Sequence, residues 1–375
     1  MPRLRRVWEP CIYHRAKHAE DFLGEYLAEA GRAILLVAGA GFDPRSILLA
    51  SLLPEAICKT AQVILIREER PNPAQELVQR AERHRDTLRA AFPNAQERVV
   101  PIFARDNAII GGRESVRLMN GQSLEGITDI IIDMSALSIG VAFPIIKHFI
   151  ERLRGEPRTA LNLHVVAYHH PPIDEAVSSN PSDTVGPIHG FRGGLGLDEK
   201  SNAAMLWMPQ LGRGKRAVLN RIFQMLRNAQ KDAVVCPILP FPSSSPRLPD
   251  ELIEEFAEEL QNSWSVDVRD LVYADEKSPL DLYRTILRID DARHRVFESV
   301  GGSQIVLSPI GSKALSLGAL MAALERDFAI LHVEAIGYTL DVSRAEEVTS
   351  TAELVHIWLY GDAYGNQEGK EAQQI

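Results

Sequence analysis

Residues 34–46 read ILLVAGAGFDPRS, an apolar run that breaks into a glycine turn and then an acid, a proline and an arginine. A short, wholly apolar run bounded by glycine is the pattern of a parallel strand buried on both faces. Pro44 suits the first turn of a following helix and makes Asp43 its N-cap. The stretch reads as the first strand and turn of a doubly wound α/β unit.

Downstream, strands are expected at residues 63–66, 99–103, 129–132 and 163–167. Helical spacing lies between them, and strand alternating with helix predicts a mostly parallel sheet covered on both faces. From 171 to 214 the pattern dissolves into Pro, Ser, Asn, Asp and Gly, including GPIHGFRGGLG at 186–196. A helix is expected at 215–229, and strands resume at 233–239, 268–273, 304–307 and 330–333. The plan of the opening stretch returns in AVVCPILPFPSSSPR, residues 233–247. Likewise VILIREERPNP matches LVYADEKSPLD, IIIDMSALSIG matches IVLSPIGSKALSLG, and LNLHVVAY matches AILHVEAIGY. The expectation is two related Rossmann-like units whose strand ends face a common cleft. The boundaries read as an N-terminal helical segment at 1–30, a first unit at 31–170, a loop and connecting helix at 171–230, a second unit at 231–345, and an edge strand with a polar tail at 346–375.

With 375 residues, 45% hydrophobic and 24% charged, the chain is long enough for about two domains and too apolar to be disordered throughout. A net charge of −9 argues against extensive coating of nucleic acid, which needs a basic face. The three cysteines, Cys11, Cys58 and Cys236, have no metal-ligand spacing and read as reduced thiols. No apolar run reaches the roughly 20 residues that span a bilayer. A cytoplasmic protein without membrane attachment is expected.

The candidate site residues all sit at predicted strand ends, where helix N-termini turn free N–H groups toward anions. Gly39 and Gly41 allow close backbone approach, and Arg45 offers a forked partner for phosphate or, alternatively, for Asp43. In the second half, Ser244 and Arg247 occupy the corresponding turn. SPIGSK, with Ser308, Gly311, Ser312 and Lys313, combines hydroxyls, a glycine and an ammonium in the way a phosphate requires. Asp133 and Ser135 are placed to favour ribose hydroxyls or a metal, or to cap a helix, and Glu69 to contact ribose or to stand as a solvated loop acid. Arg113 belongs to a polar segment with Asp106, Asn107, Gly111 and Gly112 that reads either as closing over a pocket or as a simple loop. Trp207, Gly212, Arg213 and Lys215 read either as reaching the cleft or as linker. A nucleotide is the expected ligand, and no metal is expected.

The tandem plan, with GAGFDPRS and SPIGSK at strand ends, resembles the paired CARF and SAVED sensor domains. That resemblance implies binding of cyclic oligonucleotide signals in bacterial antiviral defence, with a partner protein supplying the output activity. Gly39-Ala40-Gly41, Asp106-Asn107 and His189-Gly190 are also similar in order to sirtuin-like NAD-consuming enzymes, which implies Asp106, Asn107 and His189 as polar and base groups. VAGAGFDPR further resembles methyltransferases that use S-adenosylmethionine. The leading expectation is a nucleotide- or phosphate-binding sensor or adaptor in a larger assembly. A nucleotide- or NAD-consuming enzyme is the alternative, and a structural subunit with a degenerate Rossmann fold is the third reading.

Overall fold

The computed structural model describes residues 6–155, 161–193, 203–229, 233–342 and 352–364. The expected polar tail from 365 onward, and the end of the glycine-rich loop at 194–196, lie outside the described residues. The chain divides into two compact units, residues 1–170 with 343–375, and residues 171–342. Both are α/β, with mostly parallel sheets.

The first unit runs β1 (Tyr13–Arg15), α1 (Lys17–Leu27), β2 (Ile34–Gly39), α2 (Leu48–Leu52), α3 (Glu55–Thr60), β3 (Gln62–Glu69), α4 (Gln75–Ala91), β4 (Ala95–Pro101), α5 (Gly111–Asn120), β5 (Asp129–Asp133), α6 (Ile139–Gly155) and β6 (Asn162–His169). The last strand among the described residues, β14 (Glu353–Tyr360), completes it. Among the described residues its sheet has the order β1-β14-β6-β5-β2-β3-β4. The strands from β4 to β6 are parallel, β14 is antiparallel to β6, and β1 is antiparallel to β14. Every residue of β2, an unbroken apolar run, and of β6, which carries Asn162, His164 and His169 as well, is buried, as in a sheet covered on both faces. On one face Leu36, Ala38, Val63, Leu65 and Ile131 join Leu23, Leu49, Ile57 and Leu88 from the covering helices in a single apolar cluster.

The second unit runs α7 (Pro171–Ala176), β7 (Val177–Pro187), β8 (Ala204–Pro209), α8 (Arg216–Ala229), β9 (Val234–Val235), β10 (Ile238–Pro240), α9 (Leu248–Glu255), β11 (Val272–Ala274), α10 (Pro279–Phe297), β12 (Ser303–Ser308), α11 (Lys313–Arg326) and β13 (Ala329–Leu340). Its larger sheet has the order β7-β13-β12-β8-β9, and a parallel pair β10-β11 continues it through a bridge from Gln210 to Ile238. Strand β7 is antiparallel to β13, and the pairs among β13, β12, β8 and β9 are parallel.

Read from the antiparallel strand inward, the two units share one strand order. In the first it is β14, β6, β5, β2, β3, β4, and in the second β7, β13, β12, β8, β9 with β10, and β11. The internal likeness therefore exists in a different register from the one the sequence gives. Strands β5 and β12, and β6 and β13, correspond as expected, but the counterpart of β2 is β8 rather than residues 233–239. That expected strand is interrupted at Pro237, which has no N–H for a ladder, and appears as the fragments β9 and β10. The segment 171–230 is not a connector: it supplies the strands β7 and β8 and the helices α7 and α8 of the second unit. Nor is β14 an edge strand, since it lies between β1 and β6. No helix among the described residues is long and apolar enough to cross a membrane.

Candidate functional site

In a doubly wound sheet the ligand crevice opens where neighbouring strands send their connections to opposite faces. In the first unit that point lies between β2 and β5, and in the second between β8 and β12. At both points a carboxylate of the chain takes a backbone N–H: Glu68 that of Ser138 in the first unit, and Glu255 that of Gly214, at 2.9 Å, in the second.

At the end of β2, a Cβ on Gly39 would stand 2.9 Å from the backbone carbon and oxygen of Ala136, so only glycine fits there. Asp43 caps the turn of helix after β2 by accepting from the Arg45 N–H at 2.9 Å. Its carboxylate also takes the buried Arg45 guanidinium in a fork, Nε to Oδ1 at 3.0 Å and Nη2 to Oδ2 at 2.7 Å. The arginine expected on a phosphate is thus held by the chain's own acid. Asp133 is buried and accepts from both the N–H and the hydroxyl of Ser135, at 2.9 and 2.5 Å, while the Ser135 hydroxyl accepts from the Tyr168 N–H at 2.8 Å. Burial pushes the Asp133 carboxyl up to about 6, against the Ser135 hydrogen bonds and with the Asp43 charge adding to the rise.

Of the two acids ending β3, Glu69 is largely exposed beside Arg67, 3.9 Å away. Its neighbour Glu68 points the other way, as strand alternation requires, and accepts from the Ser138 N–H at the start of α6 at 2.7 Å. Arg70 pairs with the second oxygen of Glu68 at 2.6 Å. A carboxylate of this chain therefore sits where a helix N-terminus would take a phosphate. His84, from α4, approaches the Gly41 carbonyl with Nδ1 at 2.9 Å and is held below its ordinary range by burial. Its inward position was legible in the spacing from Leu77 and Leu88 on the buried side of α4.

At the second unit's point, β8 is followed by Gln210, Leu211, Gly212, Arg213, Gly214 and Lys215 before α8 begins. Gly214 has φ +67°, a left-handed turn that glycine adopts without strain. A Cβ on Gly212 would stand 3.4 Å from the Ile310 carbonyl oxygen and 3.9 Å from Gly311 Cα, so this turn packs against the SPIGSK turn after β12. Buried Gln210 joins them: its Oε1 accepts from the Gly311 N–H at 3.3 Å and its Nε2 donates to the Leu315 carbonyl at 3.2 Å. Ser312 caps α11 by accepting from the Leu315 N–H at 3.3 Å. Ser308 is buried, and its hydroxyl accepts from the Trp207 indole at 3.0 Å, a core role.

Lys313 opens α11. Half-buried Lys215 immediately precedes α8, with Nζ 3.4 Å from the Ser179 hydroxyl. Burial holds its ammonium below the usual lysine range, opposed by the charge of Asp174. Arg213 is anchored outward, to Glu175 at 3.6 Å and to Glu251. Gln210 carries no role in the expected site, and Lys215 reads there either as reaching the cleft or as linker, because the strand they follow has no recognisable strand signature.

The remaining expected residues are scattered. Ser244 and Arg247 are exposed in the turn leading into α9, where the Ser244 N–H is taken by the Glu276 carboxylate at 2.7 Å. Arg113 lies in the first turn of α5, 67% exposed and 3.7 Å from Glu114. The polar segment read as closing over a pocket or as a simple loop is thus partly a packed helix start: a Cβ on Gly111 would stand 2.8 Å from Ile102 Cδ1. Asp106 and Asn107 are exposed in the first unit, where Asp106 accepts from the Ala108 N–H at 3.1 Å, and His189 is exposed in the second. Among the described residues no group of three or more His, Cys, Asp or Glu side chains is arranged to hold a metal ion.

No family model matches the chain, and no curated protein matches it. Among solved structures, the apo structure of OtsA aligns over 82% of this chain and 68% of its own, at 13% identity and a TM-score of 0.26. A likeness of that size carries no argument about function.

Proposed function

We propose that the chain binds a phosphate-bearing small molecule of the nucleotide class at the β8/β12 crossover of the second unit, and acts through that binding as a sensor or adaptor. The contact of the Gly212–Gly214 turn with the SPIGSK turn, which sets Lys215 and Lys313 at the starts of two helices, carries this reading. Lysines at the starts of two helices, on glycine turns that touch, favour an anion there. In the first unit Glu68 and the Asp43–Arg45 pair already occupy the corresponding positions, which favours a structural role for that crossover. A signalling role of the kind performed by tandem CARF and SAVED domains, with a partner supplying the output, is the extension of this proposal to the cell.

The test is thermal stability of the full chain against a nucleotide panel. A true ligand at a hundredfold its dissociation constant stabilises by about 2.7 kcal/mol. The shift should vanish in Lys215→Met/Lys313→Met and persist in Arg113→Ala. A panel without any shift, or a shift that survives the double substitution, overturns the assignment.

One observation favours an enzymatic second reading. A lysine whose charge is disfavoured by burial, 3.4 Å from a serine hydroxyl, is a base beside a nucleophile. Nucleotide turnover abolished by Ser179→Ala, with binding retained, would support it over the sensor reading.

A further inference from the structure

A row of buried imidazoles crosses the first unit's sheet on the side covered by α1. His14 on β1 stands directly opposite His356 on β14, and their Nδ1 atoms are 3.1 Å apart. The other nitrogen of His356, Nε2, is 3.0 Å from Nδ1 of His164 on β6. His164 Nε2 lies 3.3 Å from Oδ1 of Asp129 at the start of β5. His164, His356 and Asp129 have no exposed surface, and His14 is half-buried.

The proton inventory fixes the direction of the row. A carboxylate only accepts, so His164 donates from Nε2 and leaves Nδ1 bare. His356 must then donate from Nε2, which leaves its Nδ1 to accept from the Nδ1–H of His14. The two inner rings are neutral, each in one specified tautomer, and His14 donates from Nδ1. A proton added to His14 Nε2 disturbs none of these bonds. A proton on His356 Nδ1 sets donor against donor across the β14–β1 pair, and one on His164 Nδ1 does the same across β6–β14.

We infer that the His14–His356–His164–Asp129 row is a proton-operated latch: closed with neutral inner rings, it fastens β1 and α1 to the sheet, and charging the inner rings releases them. Helix α1 closes over the row, with Phe22 stacked on His14 and His356 at centroid distances of 4.2 and 4.9 Å, and Tyr26 donating its hydroxyl to Asp129 at 2.8 Å. Charged groups around it come from every neighbouring element. They are Arg15 on β1, Lys17, His18, Glu20 and Asp21 on α1, Glu29 and Arg32 after α1, Glu353 on β14, and Asp362 beyond it. Arg32 Nη1 stands 3.6 Å from Asp129 Oδ2, and the Thr128 hydroxyl donates to that oxygen at 2.6 Å. Burial would raise the Asp129 carboxyl, but hydrogen bonds from His164, Thr128 and Tyr26 outweigh it and set it at about 2. The carboxylate therefore keeps its charge wherever histidines titrate.

Burial lowers all three imidazoles from 6.5, and His356 falls furthest because His164 and His14 flank it. The released state binds protons below about pH 6.5 that the closed state refuses, so opening grows as pH falls through that value. Each proton taken up on opening raises the opening constant by about tenfold per pH unit.

The test is amide hydrogen exchange of the full chain from pH 7.5 to pH 5, corrected for intrinsic rates. Protection in Tyr13–Arg15 and Lys17–Leu27 should fall by about ten- to a hundredfold per pH unit below pH 6.5, while β2 and β3 stay protected. His356→Gln keeps a donor and an acceptor at this position without titrating, and should flatten the fall. Nitrogen-15 spectra of the parent's histidine rings provide a measurement that needs no variant. At pH 7.5 they should show His14 protonated at Nδ1, and His356 and His164 at Nε2. Protection that is flat with pH, an equal fall in parent and variant, or other tautomers would overturn the latch.

Discussion

Asp133 and the histidine row respond to pH in opposite senses. The Asp133 carboxyl, at about 6 in the fold against 3.8 in the open chain, binds more protons folded than unfolded between those values. Its contribution is fully present below 3.8 and is lost as pH rises through 6, so the charged form costs stability at pH 8. Asp133→Asn keeps an oxygen for the Ser135 N–H and hydroxyl and removes that charge. It should raise stability at pH 8 by on the order of 1 kcal/mol and leave it nearly unchanged at pH 4, as denaturant melts at the two pH values would show. At this scale the sequence was readable where chemistry is local: the Asp43 cap follows from Pro44 and the turn around it. Where the answer depended on which face a side chain takes, it was not. Glu68 and Glu69 are equivalent acids in the sequence, and only the alternation of β3 sends the first to Ser138. Arg45 had two acceptable partners, and the nearer one, two residues away, holds it.

Among the elements, β8 was hidden by its composition. Met205, Leu206, Trp207 and Met208 are not the β-branched residues that mark strands, yet they fill the centre of a sheet where burial rather than propensity decides. Missing it shifted the expected repeat by one strand and moved the apparent glycine-turn counterpart from Gly212 to the serines after β10. Strands rich in Ile and Val, such as β5 and β12, were legible and correctly matched. Helix α11 shows the same dominance of packing over propensity. Gly318 lies mid-helix because α10 passes too close for a side chain: a Cβ there would strike the Pro279 carbonyl oxygen and stand 3.1 Å from Leu282 Cβ. Alanine is normally the better helix former by about 1 kcal/mol. Here Gly318→Ala should instead destabilise by about 1–3 kcal/mol through overpacking, measured by chemical denaturation.

For the whole molecule, the second unit is an insertion within the first. Residues 171–342 form a continuous unit, whereas the first unit draws β14 from the far end of the chain. Truncation after residue 342 should therefore remove the neighbour of both β1 and β6 and abolish cooperative unfolding of the first unit. The isolated 171–342 segment should still give a cooperative thermal transition. Failure of that segment to fold, or survival of the truncated first unit, would show that the units are less separable than their contacts imply. The alternation of strands and helices made the α/β class plain from sequence. The discontinuity was not plain, because a strand's hydrophobic pattern does not name the sheet it joins.

That discontinuity has a consequence for synthesis. Once His169 has left the ribosome, β6 must wait for Glu353 and the rest of β14 before its outer edge is paired. At about 5–20 residues per second, translation of the intervening chain takes on the order of ten to forty seconds. Throughout that interval the nascent first unit carries an open sheet edge lined with apolar residues, while the second unit can complete itself as it emerges. The part of the chain made first is the part finished last, and that open edge is where a nascent-chain chaperone would have most reason to bind.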